Sequence, residues 1–156
     1  MTGGTRAIVR TLMAAMAVLF CTARADAAVC SITTTPVAFG TYDVFSSTPT
    51  DTTGSVSFTC NGSARNVVVT LSQGSSSTFN PRKMTGPSSE TMNYNLYLDA
   101  ACNVIWGDGT SSTSTYTNAN PPNNIPIVVT IYGRISAGQD VRAGTYTDTV
   151  TAIVNF

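Results

Sequence analysis

TYTDTVTAIVNF, residues 145–156, alternates with a period of two, so that Tyr146, Val150, Ala152, Val154 and Phe156 share one face of an extended chain. The pattern predicts a β-strand. A sheet protein that reaches its last residue inside such a strand leaves the strand's outer edge uncovered, and an exposed apolar edge invites aggregation unless another chain pairs with it. The expected acceptor edge is therefore Val150, Ala152, Val154 and Phe156. The expectation is a protein completed by a partner strand rather than a self-sufficient enzyme.

Upstream, the same period recurs in Val56, Phe58 and Cys60, in Val67, Val69 and Leu71, in Tyr94, Leu96 and Leu98, and in Ile127, Val129 and Ile131. Between these runs lie Gly74-Ser75-Ser76-Ser77, Asn80-Pro81, Gly86-Pro87 and Asn120-Pro121-Pro122-Asn123. Short strands rich in Val, Thr, Tyr and Phe, separated by such turn residues and with no helical pattern, predict an all-β chain folded as an antiparallel β-sandwich. Residues 72–78 read as a hairpin connection widened by Gly74, and Asp108-Gly109 as a tight turn. No internal repeat of solenoid or propeller period is present.

At the other end, Arg6 and Arg10 precede an apolar run over residues 12–21. That run is too short to span a bilayer and fits the core of a secretory signal peptide. The small residues Ala25 and Ala27 place cleavage after Ala27, giving a leader of residues 1–27 and one domain over residues 28–156. Of 8 basic and 8 acidic residues in the whole chain, five and seven lie beyond that site, a net charge near −2. Arg65, Arg82, Lys83, Arg134 and Arg142, scattered over this length, make neither a nucleic-acid patch nor a polybasic membrane surface. No membrane insertion of the mature chain is expected.

Cysteine usage agrees with export. Cys21 leaves with the leader, and Cys30, Cys60 and Cys102 meet an oxidising compartment. Cys30 lies in the first mature strand and Cys60 closes the second, so a Cys30–Cys60 disulfide would staple the two, contributing roughly 3 to 4 kcal/mol on the chain-entropy account. Cys102 is left over, as a buried apolar filler, a reactive thiol or the site of an intermolecular bridge.

The chain contains no histidine, which removes Ser-His-Asp catalysis and any His-bearing zinc site. Most of the acids sit beside turn residues, as in Asp108-Gly109, and no spacing suggests a hydrolytic carboxylate pair or the dense acidic loop of a calcium site. No cofactor is expected. Tyr94, Tyr97, Trp106, Tyr116 and Tyr132 offer an aromatic platform for sugars, which makes a secreted carbohydrate-binding β-sandwich module the alternative. Asn61-Gly62-Ser63 matches a glycosylation acceptor but is equally a plain turn after Cys60.

Cys30-Ser31-Ile32, Val37-Ala38-Phe39-Gly40-Thr41-Tyr42-Asp43, Val56-Ser57-Phe58-Thr59-Cys60, Tyr94-Asn95-Leu96-Tyr97-Leu98-Asp99, Trp106-Gly107-Asp108-Gly109-Thr110 and Ala143-Gly144-Thr145-Tyr146 follow one another in this order. Together they resemble the spore coat protein U domain family over nearly the whole mature chain. The resemblance implies an immunoglobulin-like β-sandwich lacking its final strand, used as a structural subunit of archaic chaperone–usher pili that mediate adhesion and biofilm formation. It implies a periplasmic chaperone, an outer-membrane usher and neighbouring pilus or coat subunits as partners, and export through the periplasm to the bacterial cell surface. Polymerising members carry alternating apolar residues before the first cysteine, whereas only Ala28 and Val29 separate the expected cleavage site from Cys30. A strand acceptor in a terminal or accessory position is the expectation.

Overall fold

The computed structural model describes residues 27–156. The expected leader lies outside the described residues apart from Ala27. Eight strands form two antiparallel sheets: β1 (Val29–Thr35), β2 (Thr50–Asn61), β3 (Val67–Leu71), β4 (Arg82–Thr85), β5 (Thr91–Tyr97), β6 (Tyr116–Asn118), β7 (Ile127–Ile135) and β8 (Ala152–Asn155). The larger sheet runs β1-β2-β7-β5-β4 and the smaller β6-β3-β8. The chain is an all-β sandwich, with two short 3-10 turns at Gly74–Ser76 and Pro87–Ser89.

The period of two decides what faces inward. Val56, Phe58 and Cys60 of β2, Val67, Val69 and Leu71 of β3, and Val129, Ile131 and Ile135 of β7 are buried, while their neighbours along each strand face outward. Facing residues of the two sheets then close one apolar core around Phe58 and Trp106. Cys30 lies directly opposite Cys60 in the β1–β2 register, and their sulfurs are bonded. Across the β2–β7 ladder Asp51 faces Arg134, whose guanidinium grips the carboxylate with both Nε and Nη2, at 2.7 and 2.6 Å.

The core also holds one cation. Arg82 is fully buried, and its guanidinium donates to Ser72 O through Nε and Nη2, to Trp106 O through Nη2 and to Asn95 Oδ1 through Nη1, at 2.7 to 3.0 Å. Trp106, also fully buried, donates its indole N–H to Val69 O at 3.0 Å. These bonds satisfy groups that would be costly to bury unpaired.

Two expectations need correction, and one strand goes unpredicted. Residues 72–78 do not join a hairpin: they carry the chain from β3 in the small sheet to β4 in the large one. Residues 82–85, Arg-Lys-Met-Thr, form a strand with no hydrophobic alternation, because its inward cation is paid for by Ser72, Asn95 and Trp106. The last strand occupies only Ala152–Asn155 of the predicted 145–156. Val150, Ala152 and Val154 are half-buried against the core as expected, but Phe156 is 53% exposed. The β8 ladder with β3 ends at Asn155 opposite Val68, so Phe156 lies past the last pair.

Candidate functional site

A groove of about 1160 Å³ opens along one side of the sandwich. Its floor is core: Val56, Leu71, Met92, Tyr94, Leu96 and Ile131 reach it from four strands. One wall is residues 34–45, the continuation of β1, and the other is residues 141–150, the approach to β8. Apart from a single bridge at Thr147, neither wall is paired as a strand beyond the end of β1.

The first wall crosses the inner face of the large sheet where two strands lack side chains. A Cβ on Gly133 would lie 2.5 Å from Val37 Cγ1 and 2.9 Å from Phe39 Cζ, and one on Gly54 would lie 2.7 Å from Val37 Cγ2. Glycine at both positions therefore admits Val37 and Phe39, and a glycine inside a strand marks such a close approach. Phe39 meets Tyr94 edge to face with ring centroids 5.9 Å apart. Thr52 Oγ1 donates to Ala38 O at 3.0 Å, and Tyr42 donates its hydroxyl to Ser136 O at 3.0 Å while accepting from Gln139 N–H at 2.9 Å. Among the described residues, the only main-chain to main-chain hydrogen bond made between residues 36 and 45 is Asp43 O accepting from Ser46 N–H.

The second wall is fastened at several points along its length. Tyr146 packs on Gly86 and donates its hydroxyl to Glu90 Oε2, while Pro87 covers Gly144. Thr147 and Thr85 exchange both main-chain hydrogen bonds, at 2.8 and 3.0 Å. Asp148 Oδ2 accepts from Tyr94 OH at 2.7 Å and Oδ1 from Ser75 N–H at 2.9 Å. Thr151 O accepts from Ser72 N–H, and Thr151 N–H donates to Ser72 Oγ, both at 2.9 Å. Burial pushes the Asp148 carboxyl up, but the hydrogen bonds from Tyr94, Ser75 and Thr149 outweigh it and hold it below its ordinary value. Burial first, and the bond to Asp148 second, drive the Tyr94 hydroxyl far upward, so it remains a donor.

Of the residues expected at the acceptor edge, Val150 and Ala152 line the groove, whereas Val154 packs against the core beyond it and Phe156 stands outside. The first wall, with Val37, Phe39 and Tyr42, was not expected there. Its signals were Pro36 closing β1, the spacing of Val37 and Phe39, and Gly133 inside an otherwise regular strand. Cys102 is half-buried in a turn outside the groove, carries a free thiol and has φ of 58°, and burial pushes that thiol up. Of the five aromatic residues of the sugar-platform reading, Tyr94 and Trp106 are core, while Tyr97, Tyr116 and Tyr132 are partly exposed. Asp99 accepts from Asn103 and Val104 N–H, and Asp108 from Thr110, so each carboxylate serves its own turn. Among the described residues no group of three potential metal-ligating side chains converges, and no helix is long and apolar enough to cross a membrane.

Residues 15–153 match the spore coat protein U domain. The chain belongs to that family. Protein U of Myxococcus xanthus is similar to this spore coat protein U domain at 33% identity over 130 residues, taking in 76% of this chain and 70% of that protein. Among solved structures, the domain resembles the chaperone–tip adhesion subunit pre-assembly complex from the archaic chaperone–usher Csu pili of Acinetobacter baumannii, with TM-score 0.58 and 24% identity. That likeness covers 83% of this chain but 40% of the other, and it is a likeness of fold.

Proposed function

We propose that this spore coat protein U domain is a non-enzymatic structural subunit of a bacterial surface pilus or coat, and that its groove accepts a donated β-strand. A periplasmic chaperone lends the strand first, and a neighbouring subunit replaces it at an outer-membrane usher, in an assembly that serves adhesion and biofilm formation. The observation that carries this reading is an apolar floor left open between two walls that, apart from the bridge at Thr147, make no strand pairing beyond the end of β1. A strand laid between them would pair with free main-chain groups on its edges and bury alternate side chains below, which is the chemistry of β-augmentation. Family membership supports the coat or pilus role, and the solved relative named above is itself a chaperone–subunit complex.

The test uses a synthetic peptide of about ten residues that alternates valine and threonine, long enough to fill some five sites at period two. Added to the purified domain, it is expected to raise the melting temperature in a concentration-dependent way. A peptide of the same composition with its valines clustered should do so far less. Equal shifts from the two peptides, or none from either, would defeat the acceptor reading.

A further inference from the structure

The two walls of the groove are fastened very differently, and the difference says how the site is filled. Residues 142–151 are tied to the body by Tyr146 on Gly86, Pro87 on Gly144, the Thr147–Thr85 pair, Asp148 on Tyr94 and Ser75, and Thr151 on Ser72. These ties run to the β4–β5 hairpin and the 72–75 turn, so none of them depends on a strand lying beside the wall. Residues 36–44 have no comparable main-chain support. They are held by two side chains set over Gly54 and Gly133, by Thr52 on Ala38 O, and at the far end by Tyr42 on Ser136 and Gln139.

We propose that residues 36–44 are a strap that closes on the donated strand, while residues 142–151 are a fixed wall that sets its register. Val37 and Phe39, seated over Gly133 and Gly54, are the positioning residues of this strap. They hold it over the core without a partner, and its free main-chain groups then zip onto the strand that arrives. The inference rests on the acceptor reading of the groove. Local opening free energies follow buried contacts and hydrogen bonds, so the two walls should differ in amide exchange before any partner is present.

Hydrogen exchange resolved by residue tests this on the whole domain, alone and with the alternating valine–threonine peptide. In the free protein, the amides of Thr147 and Thr151 should exchange about tenfold or more slowly than those of residues 38–44. With peptide, residues 38–44 should slow at least about tenfold, and Thr147 and Thr151 should change little. Gly133→Ala places a methyl into the Val37 and Phe39 seat, so it should weaken peptide binding, and Val37→Ala in the same chain should restore part of it. Comparable protection of both walls in the free protein would overturn the strap. So would peptide binding that leaves residues 38–44 unprotected, or a Gly133→Ala chain that binds as wild type. A peptide that fails to bind the wild-type domain at all defeats the acceptor reading itself, an outcome distinct from these. Should Gly133→Ala fail to fold, the exchange pattern of the wild-type protein decides.

Discussion

Arg82 is the side chain whose environment departs furthest from its type. A fully buried guanidinium without a carboxylate in contact persists because its donors meet Ser72 O, Trp106 O and Asn95 Oδ1. Arg82→Met keeps roughly the volume but takes the donors from the buried Trp106 carbonyl and the part-buried Ser72 carbonyl, at ~1 to 3 kcal/mol for each group left unsatisfied. A fall in unfolding free energy of roughly 2 to 6 kcal/mol is expected from denaturant titration, and a change within about 0.5 kcal/mol, the ordinary range for a surface site, would contradict it. Asp148 carries a pH dependence of definite sign. Its carboxyl lies below its ordinary value in the folded protein, so it contributes stability that is full above the unfolded pKa of about 4 and is lost as pH falls through the lower folded value. Asp148→Asn should therefore be less stable than wild type at neutral pH, with the gap narrowing below about pH 4. Parallel stability curves for the two chains down to acid pH would rule this out.

β8 shows how one short element joins the core to the groove. Val154 pairs with the fully buried Val69 and leans on the core, while Thr151, just ahead of the strand, is exposed and has both main-chain groups on Ser72. Val154→Asp sets a charge against apolar atoms and should cost several kcal/mol, a large share of the ~5 to 15 kcal/mol that stabilises a domain of this size. Thr151→Asp should be mild, within about 1 kcal/mol. Phe156→Ser should also be tolerated, because its ring lies past the end of the ladder. Periplasmic accumulation of the three variants measures this, and equal loss for Val154→Asp and Thr151→Asp would show that the strand faces the other way.

At the scale of the molecule, a donor burying about five side chains in the groove could gain on the order of 10 kcal/mol before ordering costs, at ~2 kcal/mol each. A gain comparable to the whole stability of the domain makes a partner strand nearly obligatory in the proposed assembly. β1 starts at Val29 and spends its residues on β2, with Cys30 bonded to Cys60. Were the expected leader removed after Ala27, only Ala28 would precede β1, too little to serve as an alternating donor in the proposed assembly. The domain is accordingly expected to co-purify with a periplasmic chaperone and, once released, to form no fibres alone. Amino-terminal sequencing of the exported protein together with electron microscopy checks this, and homopolymeric fibres would overturn it.

The strand class, the inward residues of β2, β3 and β7 and the Cys30–Cys60 pair were legible because each depends on a pattern local to one strand, or on two cysteines in consecutive strands. Half of the groove was legible for the same reason: Val150 and Ala152 follow from the alternation of the closing segment. The other half required the tertiary structure. Residues 36–44 become a wall only because Gly54 and Gly133, on neighbouring strands, leave room for Val37 and Phe39 to cross. Arg82 becomes a core residue only because Ser72, Asn95 and Trp106, distant along the chain, converge on its guanidinium. A period of two states which side of a strand is apolar, but which segments meet across the core, and where a wall is left unpaired, is settled by packing between residues far apart in the chain.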